Sequence, residues 1–417
     1  MRPPGAETVL VRHADIGVKS GKVQAEMERR LRDNIEAIVR DRNIDAEVER
    51  RWSRILLHAD SESVDAATEA AADTFGVRSA SPAVVVSPEK QAIVDALART
   101  ARAYADAEDN EDHPLRNKNN SNGNENDAES VLGDTFAVRA RRAGNADAHP
   151  FTSEDLERDG GAAVFEELPD PEVDLTNPDT TFSVECRKNE AFVYTEQRDG
   201  PGGLPLGSQA KVVALVSGGI DSPVSAWEVM KRGAPIVPVY LELGDYGGPD
   251  HEARAMETVR RLAEFAPNYD MRVRKVPAGD VMDLLGEEVG PARMLVYRRF
   301  MYRVAEHIAR KEDATGIVTG EAIGQKSSQT ARNLGVTSMA TEMPILRPLL
   351  TMDKTDITQR ARRIGTFRDS TIPAGCNRIA PDYPETNATA EIVDNAQPEG
   401  LYERAKEAAD NATIVDI

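Results

Sequence analysis

The feature that most constrains the fold is the string Ser217-Gly218-Gly219-Ile220-Asp221-Ser222, set between an apolar run, Val212 to Val216, and a stretch opening at Pro223. A short apolar run bounded by a glycine turn reads as a buried strand, and Pro223 to Arg232 reads as a helix. Two glycines between them let the backbone approach an anion closely, and the unpaired N–H groups of the helix N-terminus point at the same place. Ser217 and Ser222 add hydroxyls. The loop is therefore read as a cradle for pyrophosphate. It lacks the Lys-Ser or Lys-Thr that a Walker A loop places after its second glycine, and the three spaced glycines of a dinucleotide fingerprint. Asp221 is suited to hold Mg²⁺ or to steer a leaving pyrophosphate, because a carboxylate beside so much phosphate charge is otherwise repelled.

The string resembles the PP-loop of ATP pyrophosphatases, Ser-Gly-Gly-x-Asp-Ser, enzymes that cleave ATP between its α and β phosphates and transfer AMP to a carbonyl oxygen. Around it, Lys211 to Val216, Ile236 to Leu241, Met271 to Val276 and Gly316 to Thr319 read as apolar strands. They alternate with helical stretches, Pro223 to Arg232, His251 to Glu264 and Val296 to Glu312, which implies a doubly wound parallel sheet, an α/β fold. Ligands of such sheets bind at the carboxyl ends of the strands, here Leu215-Val216, Tyr240-Leu241 and Thr319-Gly320. The segment Val318 to Thr330 adds a glycine turn and amides suited to a nucleotide, and Arg298 and Arg299 are placed in the first turn of a helix, within reach of phosphate. Further on, Pro344 to Asp356 combines an extended run with a helix start at Asp353, where Lys354 is placed to meet developing phosphate charge. Pro373-Ala374-Gly375-Cys376-Asn377-Arg378 is a turn that exposes its thiol beside a cation, which favours the thiolate.

Before the PP-loop the pattern is α+β. Thr8 to Leu57 reads as strand, helix, strand, with Val9 to Val11, Gln24 to Arg42 and Val48 to Leu57 as the elements. Ala66 to Glu196 adds strands at Ala83 to Val86 and Phe136 to Arg141 and a helix at Ile93 to Ala105. Residues 106–134, nearly devoid of large apolar side chains, are expected to form a disordered surface loop. Thr181 to Arg187 alternates strictly, which puts Phe182, Val184 and Cys186 on one strand face and makes Cys186 a small core hydrophobe. Gly200 to Gly207 is too rich in Gly and Pro to continue either element and marks the main boundary. The expected division is 1–62, 63–197, a linker at 198–208, 209–398 and a tail at 399–417.

Composition narrows the chemistry. Two cysteines, Cys186 and Cys376, exclude a disulfide framework, a four-cysteine zinc site and an iron-sulfur cluster held by three or more cysteines of this chain alone. No stretch approaches the roughly 18 apolar residues of a membrane span, and the N-terminus has no basic and apolar leader, so the expected location is the cytoplasm without a membrane partner. The formal net charge of -20 argues at first sight against nucleic acid. The acid excess is spread along the chain, however, as in proteins kept soluble in concentrated salt, where charge is screened within ~3 Å at about 1 M.

Taken together, these motifs resemble the ThiI family, the tRNA 4-thiouridine synthases. The resemblance covers nearly the whole chain: Asp15-Ile16-Gly17-Val18-Lys19, His149-Pro150-Phe151-Thr152-Ser153, Val173 to Asp179, the Gly-Pro-Gly-Gly-Leu-Pro linker, the PP-loop, Thr-Gly-Glu-Ala-Ile-Gly-Gln from Thr319, and Asp353-Lys354. It implies a ferredoxin-like domain at 1–62, a THUMP RNA-binding domain at 63–197 and a PP-loop domain at 209–398. It also implies an enzyme that uses ATP and Mg²⁺ to adenylate uridine 8 of tRNA and replaces its O4 with sulfur. Asp221 and Lys354 then assist adenylation, and ATP contacts fall on Leu215, Val216, Tyr240, Leu241, Arg298, Gly320 and Gln329, beside Ser217, Gly218, Gly219 and Ser222 of the loop. Cys376 takes the place of the catalytic cysteine, either receiving a persulfide sulfur or resolving a disulfide as sulfide is released.

The sequence departs from some members in having no rhodanese segment with a second, persulfide-bearing cysteine, and from others in lacking paired cysteines near Cys376. Free sulfide, a small persulfide and a partner cysteine desulfurase all remain open as sulfur donors, and the resemblance allows a homodimer. Arg139, Arg141, Arg142, Arg187 and Lys211 are candidates to line an RNA groove. The competing readings are another PP-loop adenylating enzyme acting on a small molecule, sulfur donation toward the thiazole of thiamine, and a tRNA-binding protein without catalysis.

Overall fold

The computed structural model describes the chain except for residues 1, 18–19, 52–53, 110–134, 144–147, 248 and 369–378. Cys376, Asn377 and Arg378, most of the 106–134 insertion, and Val18 and Lys19 lie outside the described residues. The chain divides into two units, Met1–Gly202 and Gly203–Ile417.

The first unit is α+β. Its elements are β1 (Thr8–His13), α1 (Gly21–Asp41), β2 (Ala46–Arg51), β3 (Arg54–Ala59), α2 (Val64–Ala72), β4 (Val77–Val86), α3 (Lys90–Asp109), β5 (Thr135–Arg142), α4 (Ser153–Glu167), β6 (Glu172–Val173), β7 (Thr180–Cys186), β8 (Ala191–Tyr194) and β9 (Arg198–Asp199). Among the described residues they make one sheet, ordered β2-β3-β1-β4-β8-β7-β5-β6, with β9 on β4.

Alternation sorts the strand side chains onto two faces. On one, Val9, Val11, Ile55 and Leu57 meet Leu31 and Ile35 of α1 and Ala67 and Ala71 of α2. Further along, Val138, Phe182, Val184 and Cys186 meet Ile93 and Leu97 of α3 and Leu156 and Val164 of α4. Cys186 is thus fully buried in a hydrophobic core and unpaired by disulfide. Helix α4 starts where Thr152 and Asp155 close a capping box, the Thr152 side chain accepting from Asp155 N and Asp155 accepting from Thr152 N.

Three expectations change here. Val48 to Leu57 is a hairpin of β2 and β3, with Val48 opposite Leu57, because the alternation of both arms fits one continuous pattern. Helix α3 continues through Asp106 to Asp109, so those four residues belong to an element and not to the loop. The division at residue 62 also falls too early: α2 and β4 share the core of β1 and β3. Strand β4 then passes directly into the next module, residues 77–83 pairing with β1 and 84–86 with β8.

The second unit contains β10 (Val212–Val216), α5 (Asp221–Lys231), β11 (Ile236–Glu242), α6 (Pro249–Ala263), β12 (Val273–Pro277), α7 (Gly279–Glu288), α8 (Arg293–Lys311), β13 (Ile317–Val318), α9 (Ala331–Ser338), β14 (Ile345–Leu346), α10 (Lys354–Arg363), α11 (Ala390–Ala396), α12 (Leu401–Asp410) and β15 (Thr413–Val415). The sheet order is β14-β13-β10-β11-β12-β15, parallel except for β15. Every residue of β10 is buried, as expected of a central parallel strand covered on both sides. Helices α5, α6 and α10 pack together on one face, and α7, α9, α11 and α12 gather round α8 on the other. Val213 and Leu215 join the α8 core with Val239, Leu241, Phe300 and Ile308. Residues 399–417 are not a loose tail: Leu401 and Ala405 of α12 are buried against that core, and β15 pairs with β12.

Candidate active site at the carboxyl ends of the central strands

The PP-loop leaves β10 as its backbone turns, and its two serines hold the turn closed. Ser217 N donates to Ser222 Oγ at 2.9 Å, Ser222 Oγ donates to Ser217 O at 3.2 Å, and the two hydroxyls lie 3.1 Å apart. Helix α5 begins at Asp221, two residues before the expected start, and no side chain caps its N-terminus. Its first N–H groups are left for a ligand, and the helix dipole favours an anion there.

Two more elements close on this helix start. Ser225 Oγ of α5 donates to Thr319 O at 2.6 Å, fixing the end of β13 against it. Gly320 then passes so close that a Cβ there would lie 2.8 Å from Asp221 C and Ser222 N. Across 133 residues of sequence, Lys354 at the first position of α10 brings its Nζ within 2.7 Å of Asp221 Oδ1. The ion pair thus joins two helix starts beside the loop.

Above the loop opens a cavity of about 530 Å³. The residues expected to bind ATP (Leu215, Val216, Ser217, Gly218, Gly219, Asp221, Ser222, Tyr240, Leu241, Arg298, Gly320 and Gln329) all line it. Apolar wall comes from Leu243, Met294, Tyr297 and Met301, with the polar end at the loop. A slot apolar on its sides and rich in N–H donors at one end suits a planar base carrying phosphates. Cys376 is not among the described residues, but Ala380, four residues after it in sequence, lines the cavity.

Arg298 has a different setting from the one expected. Helix α8 starts at Arg293, so Arg298 sits in its second turn, buried, with Nε 3.0 Å from Glu321 Oε1 and Nη1 donating to Ser328 O at 2.9 Å. Its charge is therefore met by protein. Gln329, with its amide turned so that both ends are satisfied, donates to Ala322 O at 2.8 Å and accepts from Arg298 Nη2 at 3.2 Å. Arg299 turns away to Asp394 at 2.5 Å and does not line the cavity.

Sequence reasoning missed the centre of this network. Glu321 accepts from Arg347 Nε at 2.8 Å, Tyr302 OH at 2.5 Å and Thr319 Oγ1 at 3.0 Å. Burial pushes the Glu321 carboxyl up, but Arg298, Arg347 and Tyr302 outweigh it and hold it below the ordinary glutamate range. Burial, helped by Glu321, raises the Tyr302 phenol far above its usual value. Asn333 was also missed. Fully buried, it donates to Glu385 O at 2.8 Å and accepts from Ala388 N at 3.0 Å, which ties down the segment after Pro381 that lines the cavity. Its only sequence signal was the Thr330 cap three residues earlier.

In the first unit the sheet face opposite the helices carries arginines. Arg12 Nε, Arg54 Nε and Arg187 Nη2 lie 3.7, 3.2 and 2.6 Å from Glu185. Burial pushes Glu185 up, and these arginines outweigh it and keep it ionised. Arg139 and Arg141 stand opposite Ser183 and Glu185 on the same face, and both are exposed. Arg142 alternates to the other side, opposite Cys186, and Lys211 belongs to the second unit, 3.9 Å from Glu312. The five basic residues therefore do not form one row.

Comparison with known proteins follows the same division. The model for a ThiI ferredoxin-like domain matches residues 8–81, that for a THUMP domain 122–196, and that for "Thiamine biosynthesis protein (ThiI)" 207–400. A "Probable tRNA sulfurtransferase" of Halobacterium salinarum is 53% identical over 420 residues, covering 100% of this chain and 99% of that protein.

The chain belongs to the ThiI family.

Among other ThiI relatives, the "tRNA sulfurtransferase" of Pyrobaculum aerophilum is 35% identical over 98% of this chain and 77% of its own length. A solved 4-thiouridine synthetase–RNA complex with bound ATP superposes with a TM-score of 0.80 at 28% identity, over 98% of this chain and 99% of that one. The ThiI ferredoxin-like match ends at residue 81, inside β4, in keeping with the sheet that places α2 and β4 with β1.

Proposed function

We propose that this ThiI member is a tRNA sulfurtransferase that adenylates uridine 8 of tRNA with ATP and replaces its O4 with sulfur to give 4-thiouridine. The observation that carries the reading is the cavity at the ends of β10, β11 and β13, with the PP-loop at its polar end and the Asp221–Lys354 pair beside it. In this reading adenine lies between the apolar walls, and the triphosphate meets the uncapped start of α5. Lys354 offers a compact positive charge where the α-phosphate gains charge as it is attacked. Asp221, with the Ser217 and Ser222 hydroxyls and the phosphate oxygens, is a donor set that suits Mg²⁺, which is commonly held by one carboxylate plus phosphate. Magnesium there neutralises phosphate charge when bound. Cys376 supplies the thiol through which sulfur reaches the activated carbon.

The RNA surface in this reading is the arginine face of the first unit, where charge is locally reversed in a chain of net charge -20. Arg141→Glu is expected to weaken tRNA binding more than Arg142→Glu, because only Arg141 projects from that face; equal effects in filter binding would reject the surface.

The experiment that tests the whole reading is mass spectrometry of tRNA nucleosides from cells lacking the protein, complemented with wild type, Cys376→Ala or Asp221→Ala. Loss of 4-thiouridine on deletion, restored by wild type alone, is the expected outcome. Full restoration by Cys376→Ala removes that thiol from the sulfur path, and unchanged 4-thiouridine on deletion rejects the tRNA substrate.

A further inference from the structure

Helix α8 presents one face to the cavity: Met294, Tyr297, Arg298, Met301 and Tyr302, three and four residues apart, all line it. Arg298 puts a charge in the middle of this wall, and a charge taken out of water is costly unless it is paired and hydrogen-bonded. Its partner is Glu321, which is buried and lines the same cavity.

The two oxygens of that carboxylate have separate surroundings. Oε2 accepts from Thr319 Oγ1 at 3.0 Å, from Tyr302 OH at 2.5 Å and from Arg347 Nε at 2.8 Å. These donors come from the residues just after β13 and β14 and from α8. Oε1 lies 3.0 Å from Arg298 Nε. Three donors on one oxygen fix the carboxylate in one orientation, and the other oxygen is left to meet the guanidinium. Arg298 in turn reaches the turn at 326–329: Nη1 donates to Ser328 O at 2.9 Å and Nη2 to the turned amide of Gln329 at 3.2 Å. That turn is closed by Gln329 N donating to Lys326 O at 2.8 Å, and its four residues line the cavity. A chain of contacts thus runs from Glu321 through Arg298 to a second stretch of cavity wall.

We propose that Glu321 is a positioning residue for the nucleoside half of ATP: acting through Arg298, it holds the 326–329 turn at the spacing from α8 that a planar base requires. The inference rests on reading the cavity as the ATP site. A wall already fixed in its bound geometry spares the ligand the cost of ordering it, so the effect is on affinity. The phosphates, met by the PP-loop and the start of α5, do not depend on this chain of contacts.

The test is calorimetric titration of full-length wild type, Glu321→Gln, Glu321→Asp and Arg347→Gln with ATP, AMP and inorganic pyrophosphate. Glu321→Gln keeps the shape and removes the charge. It should bind ATP and AMP about tenfold more weakly, as for the loss of one hydrogen bond to a charged group, and pyrophosphate as wild type does. Glu321→Asp keeps the charge with one methylene less reach and should recover part of the loss; it carries the test if Glu321→Gln does not fold. Arg347 meets the same carboxylate but is not among the residues that line the cavity, so Arg347→Gln should keep an ATP affinity close to that of wild type. Unchanged ATP affinity in both Glu321 variants, an equal loss of pyrophosphate affinity, or an equal loss in Arg347→Gln overturns the positioning role and leaves the ATP site standing. Failure of wild type to bind ATP overturns it together with the reading of the cavity.

Discussion

A methyl group at residue 320 has nowhere to go, because it would press on the backbone where α5 begins. Gly320→Ala should therefore cost about 1–3 kcal/mol and lower the melting temperature. Gly219→Ala, whose Cβ meets only Ser217 Oγ at 3.5 Å, should leave stability near wild type; thermal melts of the two variants compare them. Glu321 makes a second prediction at this scale. Replacing it with Gln leaves the buried Arg298 and the half-buried Arg347 without their carboxylate, and a loss of about 3 kcal/mol is expected at neutral pH. Its lowered folded value means that its stabilisation is present above the unfolded-chain value of about 4.3 and fades as pH falls through the folded value. The stability gap between wild type and Glu321→Gln in urea melts should therefore narrow between pH 6 and pH 3. The loop residues were legible in the sequence because they are contiguous and follow an apolar run. Glu321 was not legible as a centre, since Tyr302 and Arg347 lie 19 and 26 residues away and no periodicity links them.

Among elements, the central strands of the second unit were read to within a residue or two, since five or more buried apolar residues between breakers leave little choice. The short strands β13 and β14, two residues each, and the helices α7 and α9 carry weaker patterns, and packing decides them. The C-terminal elements were misread because Leu401 to Asp410 is polar on most of its surface, with Leu401, Ala405, Ala408 and Ala409 as its buried side. Small alanines give a faint apolar stripe, and their burial depends on the facing helix α8. Leu401→Ala should accordingly cost about 2–5 kcal/mol, a core penalty and not a tail's indifference, as measured by chemical denaturation.

For the molecule as a whole, 71 acidic residues face 51 lysines and arginines. Self-repulsion of that excess opposes the compact state at low ionic strength, and salt screens it. The melting temperature should rise steadily from about 0.1 M to about 2 M KCl, beyond the point at which a few surface ion pairs would saturate; a flat profile would show that the acid excess is thermodynamically idle. Composition made the excess visible, and the sequence offered Arg139, Arg141 and Arg187 as part of a groove, but Arg12 and Arg54 were not legible with them, because they come from β1 and β3 and only the register of the sheet brings them to Glu185. That register depends on β4, whose ten residues run through both halves of the first unit. A strand held by neighbours along its full length does not act as a hinge. The two N-terminal modules thus share one continuous strand, and a chimera that exchanged one of them for a relative's would have to splice within it, where a slip of one residue would turn every side chain downstream to the wrong face.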